Sequence, residues 1–66
     1  MEFIDKAKAR IEHWIHHNDH HNEDYEAFAQ QLEEAGKGES AASVREMMEL
    51  TSKSTECLRK ALEKLG

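Results

Sequence analysis

Apolar residues recur at alternating steps of three and four along nearly the whole chain, and a single glycine-bearing break divides the rhythm in two. Ile4, Ala7, Ile11, Trp14, Asn18, His21, Tyr25, Phe28, Leu32 and Ala35 form the first series. Ala41, Val44, Met48, Thr51, Thr55, Leu58, Leu62 and Leu65 form the second. Such spacing is the seam of a helix packed on a partner helix in coiled-coil fashion. Nothing in the chain alternates with the period of two that a strand requires.

Gly36-Lys37-Gly38-Glu39-Ser40 is the one stretch with turn chemistry. Gly36 suits the left-handed position just past a helix C-terminus, and Ser40 suits a helix N-cap. The spacing predicts helix over about 2–35, a turn at 36–39 and helix over about 40–65, within one domain of residues 1–66. Asn18, Asp19 and Asn22 are poor helix-interior residues, so a break at residues 18–22 is the competing expectation. Yet the seam keeps phase across them, with no Gly or Pro nearby, and a loop would reset it. A continuous first helix is therefore expected. The fold class is all-α: a two-helix antiparallel hairpin that dimerises into a four-helix bundle, with a three-helix bundle monomer as runner-up.

Folding the chain back at the turn pairs residues whose numbers sum to about 75. Leu32 then meets Val44, Trp14 meets Leu62, and the polar middles of the two seams coincide, Asn18 and His21 lying level with Ser54 and Thr55. A polar layer between two apolar ones follows. A hairpin of 66 residues with a single cysteine has little core and no internal disulfide to hold it. The second helix carries a further stripe, Met47, Leu50, Ser54, Cys57 and Ala61, which is apolar surface for a second neighbour. A homodimer with a closed two-fold interface supplies that neighbour most simply, a different protein partner being the other route.

Charge narrows the partners. The chain carries a net charge of −5. No Lys or Arg lies between Arg10 and Lys37, an interval holding all five histidines and the acids Glu12, Asp19, Glu23, Asp24, Glu26, Glu33 and Glu34. A field of that sign repels nucleic acid and anionic lipid and attracts cations. No apolar run approaches the roughly 18 residues of a membrane span, and no basic region precedes an apolar stretch, so the chain reads as soluble, unexported and cytoplasmic.

The histidines fall in steps of four, which stack side chains along one helix face. One row is His13, His17, His21 and Tyr25; the other is Glu12, His16, His20 and Asp24. With Asn18 in the seam, His21 lies at the core edge, His17 at the boundary and His13 further out, while His16 and His20 face water. Two imidazoles at this spacing can hold Zn, Ni, Co or Cu. The expected ligands are His17 and His21, with His13 as an addition, and Asn18, Tyr25 and Thr55 orienting the rings. The bland reading is a hydrogen-bonded polar layer that fixes register and oligomer state. No Glu follows His17 as in the His-Glu-x-x-His metalloproteases, and no nucleophile elbow or phosphate loop is present, so the chain is read as no enzyme. Cys57 reads as a small packing residue.

The run His13-Trp14-Ile15-x-His17-Asn18-x-x-His21-x-x-x-Tyr25 resembles that of small prokaryotic helical domains of unassigned function. The likeness covers about the first half of the chain. It implies that His13, His17, His21 and Tyr25 act together, and it carries over no catalytic residue. Two functions are expected on these grounds. The first is a small cytoplasmic protein binding a transition-metal cation for storage, sensing or delivery. The alternative is a structural oligomerisation module, and a response of the clustered imidazoles to mild acid is a third.

Overall fold

Two long helices account for nearly every residue of the computed structural model, which describes residues 2–66: α1, Glu2–Glu34, and α2, Gly38–Lys64, packed antiparallel. α1 runs through His16–Asn22 without interruption, so the break required by a three-helix bundle does not occur. Asn18 and Asn22 are tolerated inside the helix because each spends its side-chain amide on α2 instead of competing for its own backbone. Glu2 and Asp5 stand in the first turn of α1 and Glu39 in that of α2, where acids complement the helix dipole.

The turn is tighter than the sequence suggested. Gly36 takes φ 78°, a left-handed conformation that costs a residue with a Cβ about 1–2 kcal/mol. From there the Lys37 N–H reaches the Leu32 carbonyl at 2.8 Å and the Gly36 N–H reaches Glu33 at 3.0 Å. This paired closure satisfies the last carbonyls of α1. The Lys37 carbonyl already accepts from the Ala41 N–H at 3.0 Å. α2 therefore begins at Gly38, about two residues early, with Lys37 as its N-cap and no side-chain cap. Ser40, expected as that cap, lies inside the first turn.

Burial places the seam one row away from the expected one on α1. The wholly or partly covered positions are Ile4, Ala7, Lys8, Ile11, Ile15, Asn18, His21, Asn22, Tyr25, Glu26, Ala29 and Leu32 on α1, and Ala41, Val44, Arg45, Met48, Thr51, Thr55, Leu58, Leu62 and Leu65 on α2. The series at 4, 11, 18, 25 and 32 is as expected. Its companion is Ile15, Asn22 and Ala29, of which Ile15 and Ala29 are buried, whereas Trp14 and Phe28 of the expected row are exposed and His21 is only partly covered. Asn18 contacts Thr55 directly, which sets the register close to the expected sum and confirms a polar layer in mid-rod.

The product is a rod of 53 × 14 × 10 Å with a radius of gyration of 15.4 Å, against roughly 11 Å for a rounded domain of this length. Among the described residues only Ile15, Ala29, Ala41 and Thr55 are buried, and no large side chain is fully enclosed. Fully burying one Ile contributes about 1.5–3 kcal/mol, so this core rests mainly on half-covered side chains. The chain exposes 5208 Å², whereas a folded monomer of its mass exposes roughly 4300 Å².

Candidate functional site

The hairpin has two unlike flanks, and α1 shows why. One residue beyond the seam row 4, 11, 18, 25, 32 lie Asp5, Glu12, Asp19, Glu26 and Glu33, every one acidic. The matching row of α2 holds Arg45 and Arg59. Arg45 spans the gap with its Nε and Nη2 each 3.3 Å from a carboxylate oxygen of Glu26, and its Nη1 also pairs with Glu33. Arg59 Nη2 lies 3.5 Å from Asp19 Oδ2. These partly exposed pairs contribute little each. Their value here is positional: they establish which sides of the two helices coincide.

The opposite flank is apolar. One residue before the seam row 8, 15, 22, 29 come Ala7, Trp14, His21 and Phe28, and beside them Phe3, Arg10, His17 and Asp24. From α2 the same flank receives Met47, Ser54 and Ala61, edged by Leu50 and Cys57. Trp14 is 46% exposed, Phe28 52% and Leu50 61%. Every exposed large hydrophobic side chain among the described residues, Phe3 and Met47 included, lies on this flank. At its far end Phe3, Ala7, Ile11 and Trp14 with the stems of Lys6 and Arg10 line a shallow groove of about 320 Å³.

The histidine row runs up the edge of that flank. His13 stacks on His17 at 5.9 Å between ring centres, His17 meets His21 at 4.2 Å with a 54° tilt, and His21 stacks on Tyr25 at 5.7 Å. The row expected from steps of four is therefore continuous. Its surroundings differ from expectation. His17 is exposed and His21 half-covered on the flank, so neither looks into the polar layer. Asn18 and Thr55, expected to orient imidazoles, satisfy each other: Asn18 Nδ2 donates to Thr55 Oγ1 at 3.2 Å, and that hydroxyl donates to the Thr51 carbonyl at 3.0 Å. Tyr25 reaches the row by stacking on His21.

Sequence reading missed Asn22 as the second member of the polar layer. Its Nδ2 donates to the Met48 carbonyl at 3.3 Å and to Ser52 Oγ at 3.2 Å, while its Oδ1 is buried without a partner. The signal was the all-acidic row: if it faces Arg45 and Arg59, then Asn22 must stand in the seam. His16 and His20 are exposed, as expected, with His20 Nδ1 3.9 Å from a Glu23 oxygen. Cys57 is exposed, so it does not serve as the small packing residue its sequence setting suggests. Among the described residues no group of three or more His, Cys, Asp or Glu side chains is gathered in metal-binding geometry. His13 and His21 are two turns apart, about 12 Å along the axis, so they do not share one ion within a single chain.

Fold and site together define a class: an antiparallel helical hairpin, all-helical, with one ion-paired flank and one apolar, histidine-edged flank. Residues 7–65 match the model of a protein family described as Domain of unknown function (DUF8180), and the chain belongs to that family. No curated protein and no solved structure matches it. Among the described residues no helix is long and apolar enough to cross a membrane.

Proposed function

We propose that this chain is a non-catalytic self-association module, in which two hairpins pack apolar flank to apolar flank into a four-helix bundle. The observation that carries the reading is the strip of Trp14, Phe28, Met47 and Leu50 along one side of a rod in which no large side chain among the described residues is fully enclosed. Large apolar side chains exposed together along one side mark an interaction surface. The excess exposure of roughly 900 Å² per chain is close to the 800 Å² that each partner buries in a standard interface. The other flank is unsuited to the task, since Asp19, Glu26 and Glu33 are already engaged by Arg45 and Arg59 and a second acidic row would be repelled. The self-complementary strip favours a second copy over a foreign partner, and closed two-fold symmetry then hides both strips at once.

Sedimentation velocity on the tag-free chain between micromolar and hundred-micromolar concentration tests this, with helicity followed in parallel. A dimer whose thermal midpoint rises with protein concentration is expected. A fully helical monomer across that range contradicts the proposal.

A further inference from the structure

The groove at the far end of the apolar flank has a small residue for its floor. Phe3, Lys6, Ala7, Arg10, Ile11 and Trp14 surround about 320 Å³, and Ala7 alone of the six has a short side chain. Phe3 stays 76% exposed and Trp14 46%, so the hairpin itself leaves the groove open. Phe28 stands on the same row of α1 as Ala7 and Trp14, at steps of seven and fourteen from Trp14, and its ring is also half exposed. A groove and a ring of matching chemistry thus share one helix face. Three heptads, about 32 Å of helix, separate them, so they do not meet within one chain.

Charge supplies a register independently. On the adjoining row Arg10 and Asp24 lie seven residues to either side of His17, near the middle of α1. Among the described residues neither is ion-paired within the chain, and about 21 Å of helix separates them. Two α1 helices running antiparallel about a two-fold axis beside His17 bring Arg10 of each copy level with Asp24 of the other. With no further adjustment, Phe28 of each copy then comes level with Lys6 and Ala7 of the other, over the floor of the groove. The other closed arrangement, α1 against α2 with the axis along the rod, fails on charge. The Asn18–Thr55 contact sets the level of the two helices, and Arg10 would face Lys64, which continues the edge of Leu50 and Cys57.

Resting on the self-association proposed above, we infer that a second copy packs α1 against α1 about an axis at His17, seating the Phe28 ring of each chain over Ala7 in the groove of the other, with Arg10–Asp24 ion pairs bridging the chains beside it. The same contact forms twice, as two-fold symmetry requires. The rings are the anchors in their pockets, and the ion pairs at the rim select the direction of packing more than they add affinity.

Arg10→Asp and Asp24→Arg test the register in a way that net charge cannot imitate, since the first moves the chain from −5 to −7 and the second from −5 to −3. Each variant alone sets like charges against each other twice, and sedimentation equilibrium should show its dimer weakened about 5- to 30-fold. Mixing the two variants restores both contacts, and native mass spectrometry should show heterodimer in large excess over either homodimer. Phe28→Ala tests the seat, with a dimer weaker by about 20-fold or more and unchanged helicity at high concentration. Ala7→Phe fills the groove and weakens the dimer as well, whereas Ala7→Phe with Phe28→Ala exchanges ring and floor and recovers about tenfold. Charge variants that dimerise as the wild type does, an Arg10→Asp chain that dimerises more tightly, or a mixture without preference for the heterodimer refute the register and leave self-association standing. A dimer unmoved by Phe28→Ala refutes the seat. A monomeric wild-type chain removes both.

Discussion

Leu50→Lys separates the stability of the hairpin from its association more cleanly than any other change. Leu50 sits on the edge of the apolar flank and is 61% exposed, so the hairpin itself uses little of its side chain. Leu and Lys have similar helix propensity, and the net charge moves only from −5 to −4, so neither local helicity nor overall repulsion changes much. Fully burying a Leu contributes about 1.5–3 kcal/mol. The 61% still exposed corresponds to roughly 1–2 kcal/mol available on association. The residue occurs once in each copy, so removing it costs the dimer about 2–4 kcal/mol, roughly a 30- to 900-fold rise in dissociation constant. Sedimentation equilibrium over a hundredfold concentration range measures this directly, and far-UV circular dichroism at high concentration checks that the helices persist. An unchanged dissociation constant would falsify the assignment of this flank as the interface. Loss of helicity in proportion to loss of dimer, by contrast, identifies the hairpin as folded only when paired.

Three further outcomes follow from single contacts. Gly36→Ala should lose about 1 kcal/mol, because its φ is 78° while open space surrounds the missing Cβ; Gly38→Ala, equally uncrowded but at a helical position, should gain about 0.5 kcal/mol. Thermal melts at one fixed protein concentration show whether the two signs oppose. Arg45→Ala should cost about 0.5–1 kcal/mol in dilute buffer, since the guanidinium links Glu26 and Glu33 at a half-exposed site, and most of that cost should vanish in molar salt. Equal losses at both ionic strengths would show that the arginine stem, not its charge, matters. Thr55→Val should cost about 1 kcal/mol by stranding the Asn18 amide, whereas Asn18→Leu combined with Thr55→Val should return stability to the wild-type level or above. A double variant as unstable as the worse single one would show that the polar layer is not a simple pair.

The hairpin was legible because its two signals are strong and agree. A seam that holds phase across Asn18 and Asn22 outweighs their local preference for caps, since a packed helix of 33 residues gains more from tertiary contact than it loses at two positions. Gly36 was legible as well, a left-handed turn residue being needed wherever two helices reverse so sharply. The start of α2 was not. Ser40 has the better capping side chain, but the closure at Gly36 delivers the Lys37 carbonyl to Ala41 directly, and backbone geometry overrides side-chain preference. The seam of α1 was half legible for a related reason. Its shared row fits either companion, and hydrophobicity favours Trp14 and Phe28 over Asn22 and Ala29. What decides is the pairing of Asp19, Glu26 and Glu33 with two arginines, which fixes the opposite flank and leaves Trp14 and Phe28 outside.

The histidine cluster shows the same division between what spacing determines and what only register can determine. Steps of four make His13, His17, His21 and Tyr25 a continuous stack in any helix, and the rings do follow one another at 5.9, 4.2 and 5.7 Å. Whether that stack faces a core, a solvent or a second chain depends on which neighbouring row is buried, a difference of about 100° about the helix axis. With Trp14 in the seam, the imidazoles would have been internal and Asn18 their natural partner. With Ile15 there instead, Asn18 turns to Thr55 and the imidazoles come to the edge of an uncovered strip. That rotation also brings Arg10, His17 and Asp24, which share a face by their steps of seven, onto the apolar flank. In the linear sequence their equal spacing is one coincidence among many; on an apolar flank centred at His17 it becomes a condition that a two-fold partner can satisfy, with charge meeting opposite charge on both sides of the imidazoles.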